Sequence, residues 1–192
     1  MPQARPEVMD FLLTRRSRPA KTLIAPVPTR DELIPILQAA ARTPDHGKLE
    51  PWRFIVLEKA ALQRIGALAG ERAAALNMPD EKITKAANQF DTADLAVAVI
   101  AAPVDSEKVP QIEQILSAGA VCLAMVNAAL ASGWGANWLT GSLAMDRPFV
   151  ENAFGLKQEE FVAGFIHIGT ERAAPPERPR PDLDAITTWV AT

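Results

Sequence analysis

Reactive side chains are scarce in this 192-residue chain, which has one cysteine and two histidines. A single cysteine cannot form an intramolecular disulfide, and Cys122, His46 and His167 lack the close spacings that structural zinc needs. A hydrolase built on His46 or Cys122 is disfavoured too, because neither has a sequence-adjacent partner. Excess positive charge is also missing. Twenty Lys and Arg against 23 Asp and Glu leave a net charge of -3, which argues against nucleic acid as the main partner and makes any anion site local. No strand-like run leads into a glycine-rich phosphate fingerprint, so a Rossmann domain or a P-loop is unsupported. Met1 to Arg5 runs straight into polar, helix-like sequence with no secretory pattern, and a cytoplasmic location is the expectation.

What is present describes one domain spanning 1–192. The chain is 48% hydrophobic and 22% charged, the balance of an ordinary globular protein with a real core. Its sixteen prolines gather at Pro19, Pro26 and Pro28 and again at Pro175, Pro176, Pro179 and Pro181, which suggests extended arms, the second from about 172 to 192. Between them, helices and strands interleave. Glu7 to Arg16 places Val8, Phe11 and Leu12 on one helical face; Thr29 with Glu32 forms a capping box opening a helix to Ala41, with Pro35 expected to bend it. Trp52 to Leu57 is a strand, followed by a helix to about Leu68 and another from near Asp80. Leu95 to Ala102 is a continuous apolar run of strand length, closed by Pro103. Trp134 to Leu139 and Phe161 to Ile168 are further strands, with a helix from Asp146 to Gly155 between them. The tail ends in a β-capable segment, Ala185 to Val190.

Gln111 to Ser132 is the longest uninterrupted pattern. Its length approaches the roughly 20 residues that span a bilayer, but Gln111, Glu113, Gln114, Ser117 and Asn127 interrupt it. A helix buried on all sides in a core or dimer interface fits better than a membrane span. A domain this small can hardly enclose such a helix alone, which points to a second subunit.

Three segments could carry chemistry. Arg15, Arg16 and Ser17 offer two guanidinium forks and a hydroxyl, suited to a phosphate dianion, but also suited to a solvated helix end. Arg42, Thr43, Pro44, Asp45 and His46 concentrate polar groups in one loop, either for a ligand or as a turn salt-bridged between Asp45 and Arg42. Gly133 to Gly141 lets the backbone approach a flat ligand, with Trp138 as an aromatic wall, or is simply a tight passage from helix to strand. Cys122 reads as an inert buried thiol and His167 as structural.

In order along the chain, these segments resemble the nitroreductase family. The pattern is Arg-Arg-Ser after the first helix, Arg-x-Pro-x-His after the second, Pro-Trp opening a strand, a long Ala-rich helix into Gly-Trp-Gly, and Gly-Thr after the last core strand. The resemblance runs from about Val8 to Gly169 and is strongest to the short, minimal bacterial subgroup. It implies an α+β fold with a central, mainly antiparallel sheet flanked by helices. It further implies an intertwined homodimer with one noncovalent FMN in each of two interface clefts. The implied activity is ping-pong electron transfer from NADH or NADPH to a nitroaromatic, quinone or related small-molecule acceptor, the alternative being a non-catalytic flavin store or redox sensor. By position, Arg15, Arg16 and Ser17 resemble the phosphate and ribityl contacts, and Arg42 and His46 those of a second motif. Trp138, Leu139 and Thr140 resemble the third contact segment. Ala128 to Gly133 is similar to a segment linked to the nicotinamide nucleotide, and Arg178 and Arg180 are further candidates for phosphate. Two positions depart from the pattern: Leu139, where some relatives carry a basic residue, and Lys48-Leu49-Glu50, in place of a small polar tripeptide.

Overall fold

The computed structural model describes residues 3–192; Met1 and Pro2, which open the N-terminal segment considered above, lie outside the described residues. Strand β3 (Leu95–Ala101) explains the architecture. All seven of its residues are buried, with Ala96, Ala98 and Ile100 entering one core and Leu95, Val97 and Val99 another. A strand apolar on both faces has to be covered on both, because successive side chains point to opposite sides of the sheet. β2 (Trp52–Glu58) and β5 (Phe161–Glu171) flank it, both antiparallel, with Val99 opposite Phe54 and Ala98 opposite Phe165. β4 (Gly135–Leu139) pairs antiparallel with the far edge of β5, and a two-residue β1 (Leu23–Ile24) pairs with Thr170 and Glu171. The result is the α+β fold expected, with a five-stranded antiparallel sheet.

On one face lie α3 (Lys59–Ala75), α4 (Asp80–Asp91) and α6 (Arg147–Phe154), and on the other α2 (Arg30–Ala40) and α5 (Gln111–Ala131). Local chemistry sets their ends. Thr29 and Glu32 form the expected capping box, and Pro35 sits inside α2 without ending it. Asp146 accepts from the Phe149 N–H at 2.9 Å to start α6, while Arg72 donates to both its carboxylate oxygens at 2.8 and 3.0 Å. Arg72 thereby holds the Asp146 carboxyl below its usual range. Gly155, at φ 64°, closes the same helix.

Two expectations, the end of the helix after β2 and the strand in the tail, are corrected, and two further features add to the sequence reading. Helix α3 continues past Leu68 to Ala75, because Ala69 and Ala73 extend its buried face and Gly66 admits α4 closely; a Cβ there would meet the Cβ of Asp91 at 3.0 Å. β1 is too short to leave a periodic signal. The β-capable tail is no strand: Leu183–Ile186 forms a single helical turn, α7, capped by Asp182, since an extended segment with no sheet edge to pair has nothing to hold it. Finally, α5 is not buried all round within one chain. It satisfies the length and composition of a membrane-crossing helix, yet it lays Ala118, Val121, Cys122, Met125 and Ala129 against the sheet. Ile112, Leu116 and Leu123 remain 59, 65 and 46% exposed. Helix α1 (Pro6–Thr14) has no buried residue, with Val8, Met9, Leu12 and Leu13 all exposed.

Candidate functional site

The end of α1 is stitched to the sheet. The Arg18 N–H donates to the Ala136 carbonyl at 2.8 Å, and Asn137 Nδ2 returns a bond to the Arg18 carbonyl at 2.6 Å. These bonds bring Arg15, Arg16 and Ser17 alongside β4, which ends in Trp138 and Leu139 and is followed by Thr140. Two of the three predicted segments therefore meet. Arg15 Nη2 donates to Ser17 Oγ at 3.1 Å, but Arg15 Nε is buried without a partner. Burial first, and then the like charges of Arg180, Arg16 and Arg18, push the Arg15 guanidinium below its ordinary pKa. A guanidinium stays charged in such surroundings, so the crowd favours an incoming anion.

The tail closes over this cradle. Arg16 Nη1 donates to the Pro176 carbonyl at 2.6 Å and lies 3.3 Å from Glu177, which also pairs with Arg180 at 3.0 Å. The arm thus begins by folding on its own chain. Arg178 contributes only a backbone bond to Glu177.

Trp138 lies over β5. Its indole N–H donates to the Ala163 carbonyl at 3.2 Å, and a Cβ on Gly164 would collide with the ring. Glycine there is what seats the tryptophan. Leu139 stands opposite Phe165, and the Thr140 carbonyl accepts from Gln89 Nε2 at 3.4 Å.

Arg42 and His46 stand apart. Among the described residues no hydrogen bond or ion pair joins either side chain to the other two segments. His46, which sequence leaves without a titratable partner, has one: its Nδ1 is 2.7 Å from Glu113 Oε2. An ionised carboxylate only accepts, so this pair places a proton on Nδ1 and leaves Nε2 outside the contact. The loop is fixed by Ser117 Oγ donating to the Pro44 carbonyl at 2.9 Å and by the Glu50 N–H donating to Asp45 at 2.7 Å. Lys48 and Glu50, two members of the departing tripeptide, hold left-handed backbones at φ 55° and 47°, a local strain of the kind that gathers at functional loops. Ala128 to Gly133 forms the end of α5, which Gly133 leaves at φ 85°.

Glu113, Asn137 and Gln89 escape sequence reasoning, because each reaches its partner across the fold and not along the chain, and so does the pairing of Glu177 with Arg16. The two reactive groups set aside earlier are inert: burial pushes the Cys122 thiol up to about 12 and His167 down to about 4. Both His167 ring nitrogens are buried and unpartnered.

An antiparallel sheet wrapped by helices thus carries a cluster of arginines tied to its edge strand, beside the exposed ring of Trp138. Comparison with known proteins makes this specific. The Nitroreductase family's model matches residues 13–170. The Escherichia coli K12 protein YdjA, named as an NAD(P)H nitroreductase, is 38% identical over 164 residues, covering 85% of this chain and 88% of that protein. A Haemophilus influenzae protein with the same kind of name is 35% identical over 166 residues, with the same shares covered. Among solved structures, a nitroreductase-like family protein from Bacillus cereus superposes with a TM-score of 0.80 at 20% identity over the whole of both chains. The FMN and NADPH-dependent nitroreductase NfnB from a Sphigopyxis strain gives 0.74 at 16% identity, covering 96% of this chain and 99% of its own. The chain belongs to the nitroreductase family, whose members are FMN-dependent oxidoreductases with NAD(P)H as donor.

Proposed function

We propose that this single domain of 1–192 works as a homodimer, moving electrons by a ping-pong route from NADH or NADPH to nitroaromatic, quinone or related acceptors. The observation that carries the reading is the buried, unpartnered Nε of Arg15 among Arg16, Arg18 and Arg180. A donor left unmatched in that way costs on the order of 1–3 kcal/mol, and the terminal phosphate of FMN is an anion of the right charge to satisfy it. Arg15, Arg16 and Ser17 hold the phosphate and ribityl chain. Trp138, Leu139 and Thr140 flank the ring, and Trp138 keeps water from one side of it. Arg42 and His46 lie in a separate region of the chain, so they complete the cleft from the second copy, with Glu113 fixing the imidazole so that Nε2 faces outward. The open flanks of α5 and α1 are the surfaces that a second copy covers. When bound, FMN supplies the hydride-accepting and electron-donating chemistry, which is why a chain with so few reactive side chains can be an enzyme.

Denaturing the purified protein and weighing the released cofactor tests this. FMN is expected; FAD, or no flavin after reconstitution with excess FMN, overturns the reading. Arg15→Ala should weaken FMN binding by about 1.5–3 kcal/mol, the scale of a charge-assisted hydrogen bond, measured by titrating the apoprotein. Bleaching of the flavin by NADH or NADPH and its recovery on adding a nitro compound separates an enzyme from a flavin store.

A further inference from the structure

A second cationic feature lies on the other side of Thr140. A groove of about 600 Å³ opens between the α3–α4 turn, α4 and the loop after β4, a volume within the range of about 300–1,000 Å³ typical of ligand pockets. Lys82 and Lys85 project into it from α4, three residues apart and so on one helical face. Neither forms a salt bridge among the described residues. The groove wall carries no carboxylate: apart from the lysines it is apolar, hydroxyl, amide and backbone surface. Two cations that share a concave surface without a counter-ion attract an anion from outside the protein. The wall is also built to hold its shape. Gln89 bonds to the Thr140 carbonyl, and Gly141 turns the loop at φ 80°, a left-handed conformation that any side chain would strain.

We propose that this groove recognises an anionic group on the reaction partner, with Lys82 and Lys85 as its cations. The inference rests on reading Thr140 as a ring contact, which makes the groove continuous with the space where donor and acceptor take turns. Two partners offer such a group: an aromatic acceptor bearing a carboxylate, and NADPH through the phosphate that NADH lacks. The lysines therefore set substrate preference by charge, and the apolar wall accepts the ring or chain behind it.

The test uses flavin-loaded wild-type protein and the double variant Lys82→Gln, Lys85→Gln. 4-Nitrobenzoate and 4-nitrobenzamide share ring and shape but differ in charge, so the ratio of their kcat/KM values isolates the anion; the NADPH to NADH ratio does the same for the donor. One of the two ratios is expected to fall about fivefold to tenfold in the variant, as two partly solvated charge contacts would give, and the wild-type ratio should shrink in high salt. A fall confined to the benzoate pair assigns the groove to the acceptor, and one confined to the nucleotides assigns it to the donor. The dissociation constant of 4-nitrobenzoate, read without donor from the perturbed flavin absorption, should rise in parallel if the acceptor is the source. Two unchanged ratios in a variant that carries its full flavin overturn the groove and leave the flavin site standing. A wild-type protein that releases no FMN overturns the flavin reading and this inference with it.

Discussion

On the α3, α4 and α6 side of the sheet, Phe90, Phe149, Phe154 and Phe165 interlock, with Phe90 and Phe165 edge to face at 5.1 Å and Phe149 and Phe154 at 5.8 Å. On the α2 and α5 side the fully buried residues are aliphatic or sulfur-bearing, Trp52, Phe54 and Trp134 pack only partly buried at its margin, and the helix above it leaves Ile112, Leu116 and Leu123 in the open. The first face is closed by its own chain; the second ends in apolar surface that its own chain does not cover. Stability and assembly are thereby divided between the faces, and substitutions on each should fail in different ways.

The largest effect is expected on the closed face. Phe165 is fully buried, and Phe165→Ala should cost about 3–5 kcal/mol in transfer and cavity terms, measured by urea denaturation at fixed flavin load. A loss below 1 kcal/mol would mean that the aromatic cluster is loosely packed and that the two faces differ less than their rings imply.

Next comes His167, two residues along β5 from Phe165. Its folded pKa of about 4 lies below the ordinary value of 6.5. The unfolded chain therefore binds the extra proton first, and stability is complete above about pH 6.5 and declines as pH falls towards 4. The decline amounts to about 3 kcal/mol at most. His167→Leu should flatten that limb, because neither ring nitrogen has a bond to lose. Comparing denaturation midpoints at pH 7.5 and pH 5 decides it, because Glu160, held down at about 2 chiefly by Arg53, loses its contribution only below its ordinary value of 4.5; an equal loss in the variant over this window would mean that His167 does not set the limb.

The smallest effect on folding is expected on the open face. Leu116→Glu should change the stability of the free chain by less than about 0.5 kcal/mol, yet a charge at the centre of an apolar contact should convert a dimer into monomers. Light scattering of wild type and variant at low micromolar concentration is the check. Two dimers would make this flank free surface, and a monomeric wild type would remove the two-subunit cleft.

How much of this was legible in the sequence follows the same division. The run LAVAVIA reads as a doubly covered strand because both its faces are apolar, and Thr29, Glu32, Asp146 and Gly155 mark helix ends because capping is local chemistry. Arg15, Arg16 and Ser17 stand out as a cluster before any fold is known. Their link to β4 does not, since it runs through the backbone of Arg18 and the side chain of Asn137, 119 residues away. The partner of His46 is likewise hidden, because Glu113 lies 67 residues on with no spacing to announce it. The β-capable tail misleads for a related reason: strand propensity describes fitness for a sheet edge and does not supply one.

Cys122 has a practical consequence. It is the chain's only thiol, enclosed between α5 and the sheet and carrying a pKa of about 12, so maleimide reagents should find no target in the native protein. The wild-type chain is in effect already a cysteine-free background for labelling. A cysteine placed at Trp189, 89% exposed in the tail, would be the sole accessible thiol, and a spin label there would turn the reach of the C-terminal arm in the proposed dimer into a measurable distance.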